Sequence, residues 1–308
     1  MRILILGCGF IGSVHADAIR AAGYEVAGVV DADPATAERL AAAHGVPWAV
    51  APAEILDAAG AVDAVVIATP PAHHAAGIHW AVANGLAILC EKPLAPTAAE
   101  ARDLDAACRR AGLALAVGFK MRFEPLYAAV HDLLREGVIG QPRSITATHH
   151  QRHPQKVWSA EIGVASELLV HTIDLTRWLL DFDPITVTGH QTPAVANAEL
   201  AFPDDTTASL TGRWLPEFAD IAGYADHLLQ VVGSAGHLVA IRPDLIRVVT
   251  DQGVTDHVIA STDYGAPFVA QWREFASYVT HRGEGVPHSI ATGLDGIATL
   301  EIIDALGR

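Results

Sequence analysis

The run Gly7-Cys8-Gly9-Phe10-Ile11-Gly12 constrains this chain more than any other feature. It follows the apolar stretch Ile3–Leu6 and opens a helical stretch that reaches Ala22, with Gly23 as its stop. Each glycine of a G-x-G-x-x-G between strand and helix has its own physical use. One permits the tight turn, one lets a pyrophosphate approach the backbone, and one lets helix and strand pack closely. The helix N-terminus then offers free N–H groups and a positive dipole end to an anion. Asp31 stands at the end of a second apolar run, Glu25–Val30. An acid there accepts both ribose hydroxyls of NAD and repels the 2′-phosphate of NADP. Positions 32 and 33 carry no basic residue, and Asp33 adds a second negative charge. The reading is an NAD site, with NADP disfavoured, carried by Gly7, Gly9, Phe10, Ile11, Gly12 and Asp31.

The first half of the chain alternates strand and helix. Apolar runs at Ala64–Ala68, Ala87–Cys90 and Leu113–Val117 alternate with helical stretches at Ala35–Ala43, His73–Asn84 and Thr97–Ala111. Near-continuous apolar strands in this order predict a parallel sheet covered on both faces. After Gly118 the pattern changes. Helices are expected at Glu124–Arg135, Ser166–Leu180, Pro267–His281 and Ile290–Leu306. Seven alternating runs between Arg143 and Thr250 predict a large, mostly antiparallel sheet. The expected fold class is α/β: an N-terminal Rossmann doubly wound parallel sheet over 1–118, then an α+β domain with a large open sheet over 119–308.

Composition limits the function classes. With 51% hydrophobic and 18% charged residues in 308, the chain has ample core and is not disordered. A net charge of −15 repels phosphate backbones and anionic lipids, so neither nucleic acid nor membrane is expected as a partner. Cys8, Cys90 and Cys108 are too few and too scattered for a disulfide framework. Met1-Arg2 before an apolar run resembles a signal start, but the run is short and glycines follow, so a cytoplasmic protein is expected.

Two places carry candidate chemistry. Lys92, one of three lysines, follows a parallel strand in Glu91-Lys92-Pro93, where open α/β sheets bind ligands. It can donate to a substrate oxygen, or be a solvated loop lysine. Glu167, His171 and Asp174 recur at i, i+4 and i+7, which places them on one face of a regular helix. An imidazole flanked by acids can act as a general base, although Glu167 also suits a helix's first turn. Of the 16 histidines, His149, His150 and His153 cluster at the end of a strand. Neighbouring strand residues point to opposite faces, which argues against a metal site. One of this trio, with His150 and His153 as candidates, is expected together with Gln151 or Arg152 to contact substrate hydroxyls. Trp158 can stack on a sugar or fill core.

On these residues the chain resembles the glucose–fructose oxidoreductase / inositol dehydrogenase / MocA family of NAD(P)-dependent oxidoreductases. The resemblance spans nearly the whole chain. It rests on the glycine loop, Ala68-Thr69-Pro70 followed by His74, Glu91-Lys92-Pro93, Gly118-Phe119 with Arg122, and His171-Thr172-Ile173-Asp174. It implies hydride transfer between NAD and a secondary alcohol of a sugar, inositol or related polyol. Lys92 and His171 would contact the reacting hydroxyl, with His171 as acid/base and Glu167 and Asp174 orienting it. Thr69, Pro70, His74, Glu91, Lys92 and Arg122 would line the nicotinamide half of the cleft. A homodimer or homotetramer is implied as well. Three departures stand out: Glu167 replaces a common aspartate, Gly163-Val164-Ala165-Ser166 replaces a glycine-richer run, and Pro71 replaces a common asparagine. Lys120 stands where many members are neutral, and contacts an anionic group or caps the domain junction. Redox-neutral sugar hydrolysis or elimination with tightly held NAD, and a non-catalytic NAD sensor, are the alternatives.

Overall fold

The strand Arg2–Leu6 (β1) is buried from Ile3 onward, because both faces of its sheet are covered. The computed structural model describes residues 1–152, 162–215, 225–281 and 289–307. Two compact units emerge, 1–123 with 263–297 and 124–262 with 298–307 among the described residues.

In the first unit, β1 is followed by Phe10–Ala21 (α1), Glu25–Val30 (β2), Pro34–His44 (α2), Trp48–Ala49 (β3) and Pro52–Ala59 (α3). Ala64–Ile67 (β4), His74–Ala83 (α4), Ala87–Cys90 (β5), Ala98–Arg110 (α5) and Leu115–Val117 (β6) complete the alternation. Local chemistry sets the ends of these elements. Asp33 caps α2 ahead of Pro34, and Gly45 ends it at φ +65°. Thr97 accepts the Glu100 N–H at the start of α5. The sheet order is β15-β6-β5-β4-β1-β2-β3, where β15 is the two-residue strand Ala291–Thr292. Strand order reverses between β1 and β4, and at this switch point open α/β sheets bind nucleotides.

A single cut at Gly118 does not describe these units. β15 pairs antiparallel with β6 and covers the sheet edge. Ala266–Thr280 (α8) buries Phe268, Trp272 and Phe275 in one apolar cluster with Ile3, Ile5 and Ile19. Linear reading assigns these late segments to the second domain because nothing local says where they pack. α3 and β3 also escaped it, being short and of mixed character.

The second unit holds Pro125–Arg135 (α6), Pro142–Arg152 (β7), Val170–Leu180 (α7), Thr186–Gln191 (β8), Val195–Ala201 (β9) and Thr207–Leu215 (β10). Ala225–Gly233 (β11), Gly236–Ile241 (β12), Leu245–Thr250 (β13) and Gly253–Val258 (β14) follow, and the last helix, Gly293–Asp304 (α9), belongs to the first unit up to Ile297 and to the second from Ala298. The sheet order is β14-β13-β12-β11-β7-β10-β9-β8, antiparallel except for the parallel pair β7–β10. On β7, Ile145, Ala147 and His149 are buried, and the intervening residues lie on the opposite face. Polar β14 is an edge strand that apolar patterning misses. No helix among the described residues is long and apolar enough to cross a membrane.

Truncating Phe275, fully buried on α8, to alanine should cost the first unit about 3–5 kcal/mol. Urea unfolding measures this, and a loss below about 1 kcal/mol would mean that α8 is not part of this core.

Candidate functional site

The glycine loop is built by backbone packed on backbone. Gly7 has φ +96°, and a Cβ there would lie 2.6 Å from the Ala68 carbonyl. A Cβ on Gly12 would lie 1.9 Å from the Gly7 oxygen. Gly9 is different, since its Cβ would meet nothing within 4 Å. Packing within the protein does not call for a glycine at position 9, whereas the close approach of a ligand would. Thr69 Oγ1, just past β4, is buried with no hydrogen-bond partner among the described residues. An open cradle and an orphaned hydroxyl at the switch point fit a bound dinucleotide.

Asp31 sits at the tip of β2. Its Oδ2 accepts the Cys8 N–H at 2.7 Å, and its Oδ1 accepts the Asp33 N–H at 2.9 Å. Each carboxylate oxygen keeps acceptor capacity for a ribose hydroxyl. Burial, reinforced by the Asp31 charge, pushes the Cys8 thiol up to about 12, so it stays a small neutral filler. Phe10 is exposed at the start of α1, its ring 5.7 Å from that of Tyr264, and Ile11 packs on the core.

Pro70 and Pro71 turn the chain after β4 into α4. His74 was expected to touch the cofactor, but it is fully buried, with Nε2 2.8 Å from the Thr69 oxygen and Nδ1 3.2 Å from the Leu94 oxygen. Its place is to tie the Thr69 loop to the Lys92 loop. Burial holds its imidazole below the usual histidine range, outweighing the two carbonyls. Glu91 is also buried, with Oε1 3.0 Å from His15 Nε2 and Oε2 accepting the Lys92 N–H at 3.2 Å. The Lys92 side chain is half-buried at the carboxyl end of β5. Arg122, expected at the cofactor, is buried and donates to Asp295 Oδ1 at 3.0 Å. Asp295 Oδ2 in turn accepts from the N–H and hydroxyl of Thr292, so this guanidinium braces the late segment against the end of β6. Lys120 Nζ lies 5.0 Å from the centre of the Tyr264 ring.

In the second unit, α7 begins with a π turn, Ala165–Leu169. The shared face expected for Glu167, His171 and Asp174 rests on regular α geometry, and Glu167 lies within the wider π turn. Glu167 is half-buried, whereas His171 and Asp174 are buried on α7. Of the described strand histidines, His149 stands beside His171, with ring centres 6.1 Å apart. His150 lies on the face of β7 opposite His149. His153 and Trp158 lie outside the described residues. Sequence reasoning missed His227 and Tyr127. His227 pairs across from His149, their rings 5.1 Å apart, and its Nδ1 is hydrogen-bonded to the buried Tyr127 hydroxyl. Only the strand register reveals this cluster. Among the described residues no group of three or more His, Cys, Asp or Glu could hold a metal ion.

A glycine cradle at the switch point of a β3-β2-β1-β4-β5-β6 sheet, with an acid at the tip of β2, defines a dinucleotide-binding Rossmann fold. The profile of an oxidoreductase family with an NAD-binding Rossmann fold matches residues 1–119, and that of the GFO/IDH/MocA C-terminal domain matches 127–239. The chain belongs to the GFO/IDH/MocA family and is an NAD-dependent oxidoreductase. It is 32% identical to the inositol 2-dehydrogenase of Rhizobium meliloti (strain 1021), over 100% of this chain and 96% of that protein. A candidate myo-inositol dehydrogenase from Sinorhizobium meliloti 1021 has a similar crystal structure, with TM-score 0.83, 28% identity and coverage of 99% and 96%. An oxidoreductase from Agrobacterium radiobacter, crystallised with NAD+, L-tartaric acid and magnesium, shares the fold at TM-score 0.87 and 21% identity, covering 99% of this chain and 95% of that one.

Two outcomes are expected. Gly9→Ala should leave the melting temperature unchanged and weaken NAD binding, whereas Gly12→Ala should lower both, because its methyl meets backbone. Thermal melts and NAD titration separate the two, and equal destabilisation would refute the cradle. The second outcome concerns His74. Its depressed folded value means that the unfolded chain binds the proton first as pH falls below about 6.5. The stability that neutral His74 contributes is complete above that point and declines below it, down to the depressed folded value. Urea midpoints at pH values on either side of it should show this fall, and His74→Asn should make it shallower.

Proposed function

We propose that the chain transfers a hydride between NAD and a secondary alcohol of a sugar, an inositol or a related polyol. The observation that carries this reading is Lys92 at the carboxyl end of β5, its backbone held by Glu91, in the same sheet whose glycine cradle fits NAD. Full-length similarity to an inositol 2-dehydrogenase supports the polyol class.

Gly7, Gly9 and Gly12 would admit the pyrophosphate to the N-terminus of α1, and Asp31 would accept the ribose hydroxyls. Thr69 Oγ1, Pro70 and Lys92 would flank the nicotinamide half. When bound, NAD supplies a hydride acceptor, and the rest of the work falls to side chains. Lys92 donates a hydrogen bond to the substrate oxygen and stabilises the negative charge that builds there. His171 removes the hydroxyl proton, and returns it in the reverse direction. Asp174, one turn along α7, supports the charged imidazole, and half-buried Glu167 adds negative charge at the π turn. Lys120, held over Tyr264, binds a polar or anionic group of the substrate. A homodimer or homotetramer in solution goes with this reading.

Lys92→Ala and His171→Ala should each lower kcat by at least about 10²-fold while NAD affinity stays within a few-fold. A panel of sugars and inositols, scored for NADH absorbance with NAD and NADP in parallel, provides the assay. Near-normal rates in both variants would reject the assignment.

A further inference from the structure

The Glu91 carboxylate has no part in the chemistry above, yet it is held from several sides. Oε1 is 3.0 Å from His15 Nε2, and Oε2 accepts the Lys92 N–H at 3.2 Å. A Cβ on Gly118 would lie 2.7 Å from Oε1, so the glycine at the end of β6 is what lets the carboxylate occupy this place. His15 is fully buried on the inner face of α1. Its other ring nitrogen, Nδ1, accepts the Trp272 indole N–H at 3.0 Å. Phe268 and Trp272 meet the imidazole edge-on, with ring centres 5.1 and 5.8 Å away.

An indole nitrogen donates and never accepts. The nitrogen of His15 that faces Trp272 must therefore be the lone-pair nitrogen, which puts the ring proton on Nε2, facing Glu91. One tautomer serves both neighbours. The other would set two N–H groups against each other at Trp272 and turn a lone pair on the carboxylate at Glu91. In a buried site each such mismatch is a lost hydrogen bond with an unsatisfied polar group left behind.

We propose that Trp272 and His15 are positioning residues: the indole of Trp272 selects one tautomer of His15, which fixes the Glu91 carboxylate and, through it, the backbone of Lys92. The proposal rests on Lys92 acting as donor to the substrate oxygen. A late segment of the chain thereby sets the geometry of a loop formed early in it. A donor held off its productive position by about 1 Å loses on the order of 10²-fold in rate, so the relay matters for turnover more than for nucleotide binding.

Nitrogen-15 spectra of the histidine rings in the full chain test the tautomer directly, with His15→Gln identifying the signal. His15 should carry its proton on Nε2 near neutral pH. A proton on Nδ1 overturns the proposal, whether or not any polyol is turned over. Trp272→Phe keeps an aromatic ring in the core but deletes the donor. With the best polyol substrate it should lower kcat by about 10–100-fold while KM for NAD stays within about threefold. An unchanged kcat overturns the proposal. Glu91→Gln supplies an amide donor that can pair with either form of His15 Nε2. Combined with Trp272→Phe, it should lose less activity than the product of the two single losses, a rescue that a purely structural role would not produce. Strictly multiplicative losses overturn the proposal. A wild-type enzyme inactive on every polyol would defeat the functional reading but leave the tautomer measurement to decide this one.

Discussion

Main chain lies against main chain at the switch point, with no space for a Cβ, and the rest of the first unit depends on that approach. Gly7 abuts Ala68, and Gly12 abuts Gly7. This contact sets where α1 begins and how close it lies to β1. The start of α1 in turn determines which residue one turn on faces inward. That residue is His15, and it meets Glu91 on one side and Trp272 on the other. A nucleotide cradle and a buried hydrogen-bond relay thus share one helix and one constraint.

The first unit is not closed by its own early residues. β6 would be an open edge without β15, and open edges invite unwanted pairing. The same late segment brings Asp295 to Arg122 and Trp272 to His15. Gly293 makes room for this return, since a Cβ there would lie 2.3 Å from Asp105 Oδ1. Burial raises the Asp105 carboxyl above its usual range, with Arg109 opposing the shift from 2.9 Å. Buried polar groups are costly unless paired. Here Asp105 and Arg122 each have an ion-pair partner where a late piece of the chain docks.

In the second unit the arrangement is simpler. One face of the large sheet carries the π turn and α7, and on it His149 and His227 pair across neighbouring strands while His149 also stands beside His171. Tyr127 closes the row from α6, its phenol pushed well above the usual range by burial, so that its hydroxyl stays protonated next to His227. The π turn at Ala165–Leu169 contains Glu167 and leads directly into the helix that carries His171. Such turns are frequent at functional sites.

Sequence alone determined the glycine cradle, Asp31 at the tip of β2, Lys92 at a strand's carboxyl end and the change from parallel to antiparallel sheet. Each depends on neighbours a few residues away: a turn, a cap, a period of two or of three and a half. Tertiary structure alone decided that His74 and Arg122 hold backbone and carboxylate, that His149 rather than His150 stands beside His171, and that Trp272 reaches His15. Those facts depend on which distant segments touch. Periodicity says which face of an element is buried, but only the packed backbone says what that face is buried against.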